Sequence, residues 1–280
     1  VSVIEDTAVA PERLPAYMKD FGEMLERLGL KCVYHAHIST GELHLRPVLN
    51  LKDENDRVLF RRVAEETARL VKKHRGSLSG EHGDGRLRGE FIPLLFGEKV
   101  YGLMQETKVC WDPEGVFNAR KIVNTPPMDT SLRYEVGDSD VACRTYFDFS
   151  KEKGWLCAIE QCNGSGDCRK SYAFGGTMCP SFRATREESH TTRARANTLR
   201  ELITHPRTKK IYDQREILEV LDTCVSCKAC KSECPSNVDI ARFKAEFLQQ
   251  HYDVCGVPMK AFLIARLTEI QRLGTILPWF

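Results

Sequence analysis

Four cysteines stand as Cys224-x2-Cys227-x2-Cys230-x3-Cys234, and Pro235 closes the run. Three thiolates three residues apart in a tight loop can each take one corner of an iron–sulfur cube. In two-cluster ferredoxins the cysteine before the proline ligates the other cluster. Zinc sites more often pair two separated Cys-x2-Cys knuckles and have no use for the closing Cys-Pro. A second, less regular group lies upstream. Cys162 and Cys168 keep the outer spacing, Ser165 stands where a middle thiolate belongs, and Cys179-Pro180 supplies the Cys-Pro partner after an insertion. Crossed pairing gives one cluster to Cys179, Cys224, Cys227 and Cys230, and the other to Cys162, Cys168 and Cys234. The fourth ligand of the second cluster stays open between Cys157, the oxygen of Ser165, and a three-iron cluster that needs none.

A different chemistry is offered by His37-Ile-Ser-Thr-Gly-Glu-Leu-His44 and by Ser79-Gly-Glu81-His82-Gly-Asp-Gly85. The first places two imidazoles across a glycine-containing turn, so they can converge on one ion. The second is too glycine-rich for the interior of a helix or strand and lets backbone approach a ligand closely. His37, His44 and Glu81 make a two-imidazole, one-carboxylate set of the kind that holds a Lewis-acid divalent metal with an open position. His82, beside that carboxylate, is a candidate general base, because histidine titrates near neutrality. The loop matches neither the Walker nor the dinucleotide fingerprint, so a phosphate cradle is not expected.

These groups need elements to position them. Residues 11–29 carry Leu14, Tyr17, Met18, Phe21, Leu25 and Leu28 at helical spacing, and residues 53–75 form a second amphipathic helix. Cys32 to His37 reads as a strand. Glu42 to Arg46 alternates polar and apolar, so Glu42, His44 and Arg46 share a face. Asn124-Thr125-Pro126-Pro127 breaks regular structure. The remainder reads as short helices among the cysteines, at 194–203, 216–223, 238–251 and 258–273. The fold class expected is α+β, with a ferredoxin-like α/β substrate-side domain at 1–125, a linker at 126–153 and a mainly α-helical iron–sulfur domain at 154–280.

The composition excludes other classes. The 41 basic and 39 acidic residues nearly cancel, which offers no field for nucleic acid or a polybasic membrane anchor. Eight of the 12 cysteines fall between Cys157 and Cys234 without a signal peptide, which fits a reducing compartment better than a disulfide scaffold. Cys32, Cys110 and Cys143 read as buried or incidental thiols, and Cys255 lies outside both spacings. The abrupt ends at Val1 and Phe280 read as those of a fragment of a longer chain.

Taken together, several segments resemble the C-terminal, substrate-side domain of FAD-linked oxidases, the group of D-lactate dehydrogenases, D-2-hydroxyglutarate dehydrogenases and glycolate oxidase subunits. They are Glu5-Asp6-Thr7-Ala8-Val9, His37 to His44, Ser79 to Gly85, Trp111-Asp112-Pro113 and Phe117-Asn118-Ala-Arg-Lys121-Ile122. Residues 150–255 resemble the 4Fe-4S ferredoxin-type domain fused behind it in large bacterial members. The resemblance implies an FAD-dependent dehydrogenase of D-2-hydroxy acids. On it, His37, His44 and Glu81 fall on positions that bind zinc or manganese, and His82 falls on the base that takes the hydroxyl proton. Arg46 is placed to pair with a substrate carboxylate, and Asn118 and Lys121 match a motif near the flavin–substrate junction. Glu42 stands where an Asn is usual, which suggests altered substrate choice or an added metal ligand. FAD itself is expected on a domain of the same polypeptide that precedes Val1.

The function expected is therefore hydride transfer from a D-2-hydroxy acid to flavin, with single electrons passing through iron–sulfur clusters to a quinone or a carrier protein. The location expected is the cytoplasm, or the membrane periphery through a partner, with no nucleic acid involved. The alternative is an electron-transfer module whose first domain only docks and whose histidines are structural.

Overall fold

The computed structural model describes residues 2–138, 144–206 and 211–276. The chain divides into two compact units, Val1–Asp138 and Ser139–Phe280.

The first unit is α+β. Its elements are β1 (Ile4–Ala8), α1 (Leu14–Leu28), β2 (Cys32–His37), β3 (Glu42–Pro47), α2 (Glu54–Lys73), α3 (Ile92–Phe96) and α4 (Glu98–Trp111). A 3-10 turn beginning at Pro11 leads into α1. The helix stops at Gly29, whose φ of 66° turns its N–H back to the carbonyls of Glu26 and Leu25. Asp53 caps α2 by accepting a hydrogen bond from the Asp56 N–H. The strands form an antiparallel sheet in the order β1-β3-β2, with His35 opposite His44 and His37 opposite Glu42. Ala8 and Ser77 exchange backbone hydrogen bonds, extending pairing beyond β1.

Strand alternation decides what each face carries. Leu43 and Leu45 pack with Ile4, with Tyr17, Phe21, Met24 and Leu25 of α1, and with Phe60, Val63, Ala64, Ala68 and Val71 of α2. The polar residues of β3 are thereby turned to the other face. In α2 the buried aromatic is Phe60, and its neighbour Leu59 lies at the margin.

The second unit contains helices and no strand among its described residues. They are α5 (Trp155–Glu160), α6 (Pro180–Thr185), α7 (Thr192–Thr204), α8 (Arg215–Asp222), α9 (Ala229–Glu233), α10 (Ile240–Cys255), α11 (Met259–Ala265) and α12 (Leu267–Ile276). The single helix expected at 258–273 is thus two, separated at Arg266. The core gathers Trp155, Ile159, Leu199, Ile203, Ile217, Phe243 and Phe247 together with Cys162, Cys168, Cys179 and Cys230.

The stretch expected as a linker is packed toward both of its ends. Met128 enters the first core, and Arg57 and Arg61 hold Asp129. In the second unit the Glu246 carboxylate accepts the N–H groups of Tyr146 and Phe147, and Phe149 is buried against Trp155. Among the described residues no helix is long and apolar enough to cross a membrane.

Candidate functional site

The β2–β3 hairpin brings His37 and His44 to one face, where their rings meet edge to face with centroids 5.1 Å apart. The turn depends on Gly41, which has φ of 74°; a Cβ there would lie 1.8 Å from the Val9 carbonyl oxygen. His44 Nδ1 lies 2.6 Å from the Glu5 carbonyl oxygen, an acceptor only, so this nitrogen carries the proton and Nε2 offers its lone pair.

The loop 79–85 is held over this face by a residue to which no motif assigns a role. Asp6 is fully buried in β1. Its carboxylate accepts from the Ser79 hydroxyl, from the N–H groups of Glu81 and His82, both at 3.0 Å, and from the Arg88 guanidinium. Burial works against its ionisation, but the Ser79 hydroxyl and the two N–H groups outweigh it and hold the group below its ordinary value. An acid in an otherwise half-apolar strand, within the segment Glu5 to Val9, was the available signal. Its partners lie more than seventy residues away, so spacing could not supply them.

The anchored loop sets Glu81 against three imidazoles. Its Oε1 is 3.5 Å from His44 Nε2, 3.9 Å from His37 Nε2 and 3.1 Å from His82 Nε2. His82 stacks on His44 with 8° between the rings, and its Nδ1 lies 3.9 Å from both Glu5 Oε1 and Asp6 Oδ1. One donor atom from each of His37, His44 and Glu81 falls within 4.8 Å of the others, and the same holds for Asp6, His44 and His82. The first set fits a divalent ion. Two ligands at tetrahedral zinc are about 3.3 Å apart, and these side chains have lone pairs to give. In the second set the Asp6 oxygens are already engaged by four donors.

Glu42 is buried beneath this loop, and its Oε1 lacks a hydrogen-bond partner. Burial, then the nearby Asp6 and Glu81 carboxyls, push it above its ordinary value. It belongs to neither donor set. A Cβ on Gly80 would meet its carboxyl at 2.9 Å, so glycine there admits the larger acid. Arg46 lies on the exposed end of the same face and pairs with Glu5 at 3.1 Å. Asn118 has φ of 48°, as a turn residue does, and neither it nor Lys121 makes a side-chain hydrogen bond or ion pair among the described residues. Their loop is tied to the glycine loop by the Ile122 N–H, which donates to Gly85 O at 2.8 Å.

In the second unit Cys179, Cys224, Cys227 and Cys230 line one cavity, together with Thr192 and Arg195. Burial pushes the Cys230 thiol up to about 11, against the N–H groups of Ile240 and Ala241, which favour the thiolate. Four cysteines around one cavity offer the donor set of an iron–sulfur cube. Cys162 and Cys168 are buried in the same core. Burial raises the Cys168 thiol, an Arg193 N–H opposes this, and the neighbouring Cys162 and Cys179 thiols add to it. Cys234 is half-buried at the end of α9. Cys157 is exposed, whereas Trp155, Leu156, Ala158 and Ile159 of the same helix are buried; Ser165 is exposed too. The loop entering Cys179 is clamped by Glu233, whose carboxylate accepts the N–H groups of Thr177 and Met178.

Of the remaining cysteines, Cys32 is half-buried and Cys110 is exposed. Cys143 lies outside the described residues. Cys255 ends α10 with Asp213 and His251 close by.

Residues 1–122 match the family of FAD linked oxidases, C-terminal domain, and residues 161–239 match a 4Fe-4S dicluster domain. The chain is 31% identical over 303 aligned positions to a D-2-hydroxyglutarate dehydrogenase of Pseudomonas putida, covering 94% of this chain and 29% of that protein. It is 29% identical to the protein of the same name from Escherichia coli, over 96% of this chain and 30% of the relative. A D-lactate dehydrogenase of Archaeoglobus fulgidus is 28% identical over 42% of this chain and 26% of its own length. The chain spans about three tenths of the length of the first two relatives.

Proposed function

From a chain that carries an FAD linked oxidase C-terminal domain and, behind it, a 4Fe-4S dicluster domain, we propose that the whole protein is an FAD-dependent D-2-hydroxy acid dehydrogenase. This chain supplies its substrate side and its first electron relay. The relatives named for D-2-hydroxyglutarate and D-lactate support that substrate class. The observation that carries the reading is the Glu81 carboxylate facing His37, His44 and His82 on a loop anchored by buried Asp6. The βαββα order, with Ser77 bridging Ala8 where a further strand would pair, supports a ferredoxin-like first domain.

In this reading His37, His44 and Glu81 hold a zinc or manganese ion, and Cys179, Cys224, Cys227 and Cys230 hold a 4Fe-4S cluster. Cys162, Cys168 and Cys234 hold a second cluster, with Cys157 or Ser165 as candidates for its remaining position. When bound, the metal would supply a Lewis acid for the substrate oxygens, the flavin a two-electron acceptor, and the clusters one-electron steps onward. The chain's own work is positional and acid–base. His82 takes the substrate hydroxyl proton at Nε2, while its Nδ1 lies 3.9 Å from the Glu5 and Asp6 carboxylates. Arg46 exchanges Glu5 for the substrate carboxylate. Asn118 and Lys121, on the loop tied to Gly85, face the flavin side. FAD is held mainly by a further domain of the same polypeptide, and a quinone or carrier protein takes the electrons. The protein works in the cytoplasm or at the membrane periphery through that partner.

Anaerobic purification with counts of iron, labile sulfide, zinc and manganese tests this. The reading expects about four irons per cluster and a divalent ion that is lost when His37 and His44 are replaced by Ala. Retention of the ion in that double variant would leave the histidines structural and the first unit a docking domain. Zinc at the cysteines with no iron would end the redox reading.

A further inference from the structure

Three arginines are buried among the described residues: Arg88, Arg183 and Arg195. Arg88 pairs with the Asp6 carboxylate, and Arg183 lies in the field of Glu233. Arg195 is the most buried of them, at 1% exposure, and has no carboxylate within ion-pair distance among the described residues. A guanidinium is a permanent cation, and a buried charge without a counter-charge is strongly destabilising. The fold nevertheless directs it with care. Arg195 sits on the buried face of α7 with Ala196, Leu199 and Leu202, and Thr191 caps that helix. Its Nε donates to Val220 O at 3.0 Å and its Nη2 to Thr223 Oγ1 at 2.7 Å. The third arm, Nη1, donates to Cys179 Sγ at 3.4 Å. Two neutral acceptors thus fix the plane, and the remaining donor is aimed at a cysteine of the four-thiol cavity.

We propose that Arg195 is the counter-cation of the cluster held by Cys179, Cys224, Cys227 and Cys230, and that it raises that cluster's reduction potential. This rests on the cluster assignment above. Taking up one electron adds one negative charge to the cube and its thiolates, with no bond to the protein made or broken. In the reaction the electron comes from reduced flavin; in the test it comes from dithionite. A fixed cation bonded to a ligand sulfur favours the reduced form over the oxidised one, and hydrogen bonds to cluster sulfurs are one of the recognised determinants of potential. Arg195 is a positioning residue, acting through Cys179.

The test is a potentiometric titration of the anaerobically purified full chain, followed by electron paramagnetic resonance, in the wild type, Arg195→Gln and Arg195→Lys, with iron counted in each. The signal that changes on Cys224→Ser identifies the cluster. Arg195→Gln should shift the reduced-to-oxidised ratio at fixed potential at least tenfold toward oxidised, a fall in midpoint of 59 mV or more. Arg195→Lys should fall less, because it keeps the charge. The signal of the other cluster should stay in place. An unchanged midpoint in an iron-replete Gln variant would make Arg195 a packing tie and overturn the proposal. Should the Gln variant fail to load iron, wild-type protein labelled with 15N-arginine decides. Hyperfine coupling of 15N to the Cys224-sensitive signal supports the assignment, and its absence overturns it. A wild type with no Cys224-sensitive signal overturns the cluster assignment itself, and Arg195's role with it.

Discussion

Asp6 has no solvent exposure, and its carboxylate is the common acceptor for the Ser79 hydroxyl, two backbone N–H groups and the Arg88 guanidinium. Asp6→Asn keeps the shape, puts an N–H₂ where donors already point, and leaves Arg88 without its charge partner. The expected cost is about 3 kcal/mol in urea unfolding, with any binding of the ion proposed for His37, His44 and Glu81 lost alongside. The pH dependence has a definite sign. Asp6 is held below its ordinary value of 3.8, so the stability it contributes is fully present above that value. It disappears as pH falls through the lower folded-state value. The acid limb of the stability curve should therefore be shallower in Asp6→Asn than in the wild type. Cys230 makes the opposite case. Its thiol is pushed up to about 11 by burial, which leaves roughly two to three orders of magnitude less thiolate near pH 8 than an unperturbed cysteine has. With the iron removed under reducing conditions, iodoacetamide should alkylate exposed Cys227 well before Cys230, read by peptide mass. Equal rates would mean that the cavity opens when it is empty.

The hairpin shows what a short element can and cannot announce. Strand β2 runs from Cys32 to His37 as its composition suggests, and α2 begins at the Asp53 cap, because both are specified by neighbours in sequence. The close approach of Gly41 to Val9 is a contact between the residue following β1 and the turn, which no local pattern records. It leads to a paired prediction. Gly41→Ala places a methyl 1.8 Å from a backbone oxygen that cannot move aside, and should cost about 3 kcal/mol. Gly83→Ala keeps a similar positive φ of 81° but meets open space, so only the left-handed penalty of about 1 kcal/mol remains. Thermal or urea melts of the two variants would separate steric from conformational cost. Equal losses would show that the hairpin yields at Gly41. The segment between the two sets of motifs was opaque for a related reason. Met128 is a single apolar residue behind Pro126-Pro127, and Phe149 ends the short run Tyr146-Phe147-Asp148-Phe149; neither stretch is long enough to show the periodicity that marks a buried face, yet each residue is buried.

For the molecule, legibility follows contact range. The cysteine runs and the His37–His44 turn could be read because their donors lie a few residues apart, so spacing and geometry nearly coincide. Asp6, Arg88 and Arg195 could not, because each acts on partners from 16 to 82 residues away. The same separation of scales bears on how the chain holds together. One core is built from β1, α1, β3 and α2, the other from α5 to α10, and no residue is common to both. Each unit is of ordinary domain size and has its own core, so each is expected to fold without the other. Residues 126–138 and 144–153 must travel with the units they pack into, so a cut at 125 or 154 strips Met128 from one core or Phe149 from the other. Expressed separately, 1–138 should retain the ion proposed for His37, His44 and Glu81, and 139–280 should retain the same iron and sulfide per chain as residues 1–280. Pieces cut at 125 and 154 should melt lower and load less metal. Full loading by the shorter pieces would show that the tails are carried along without contributing to either core.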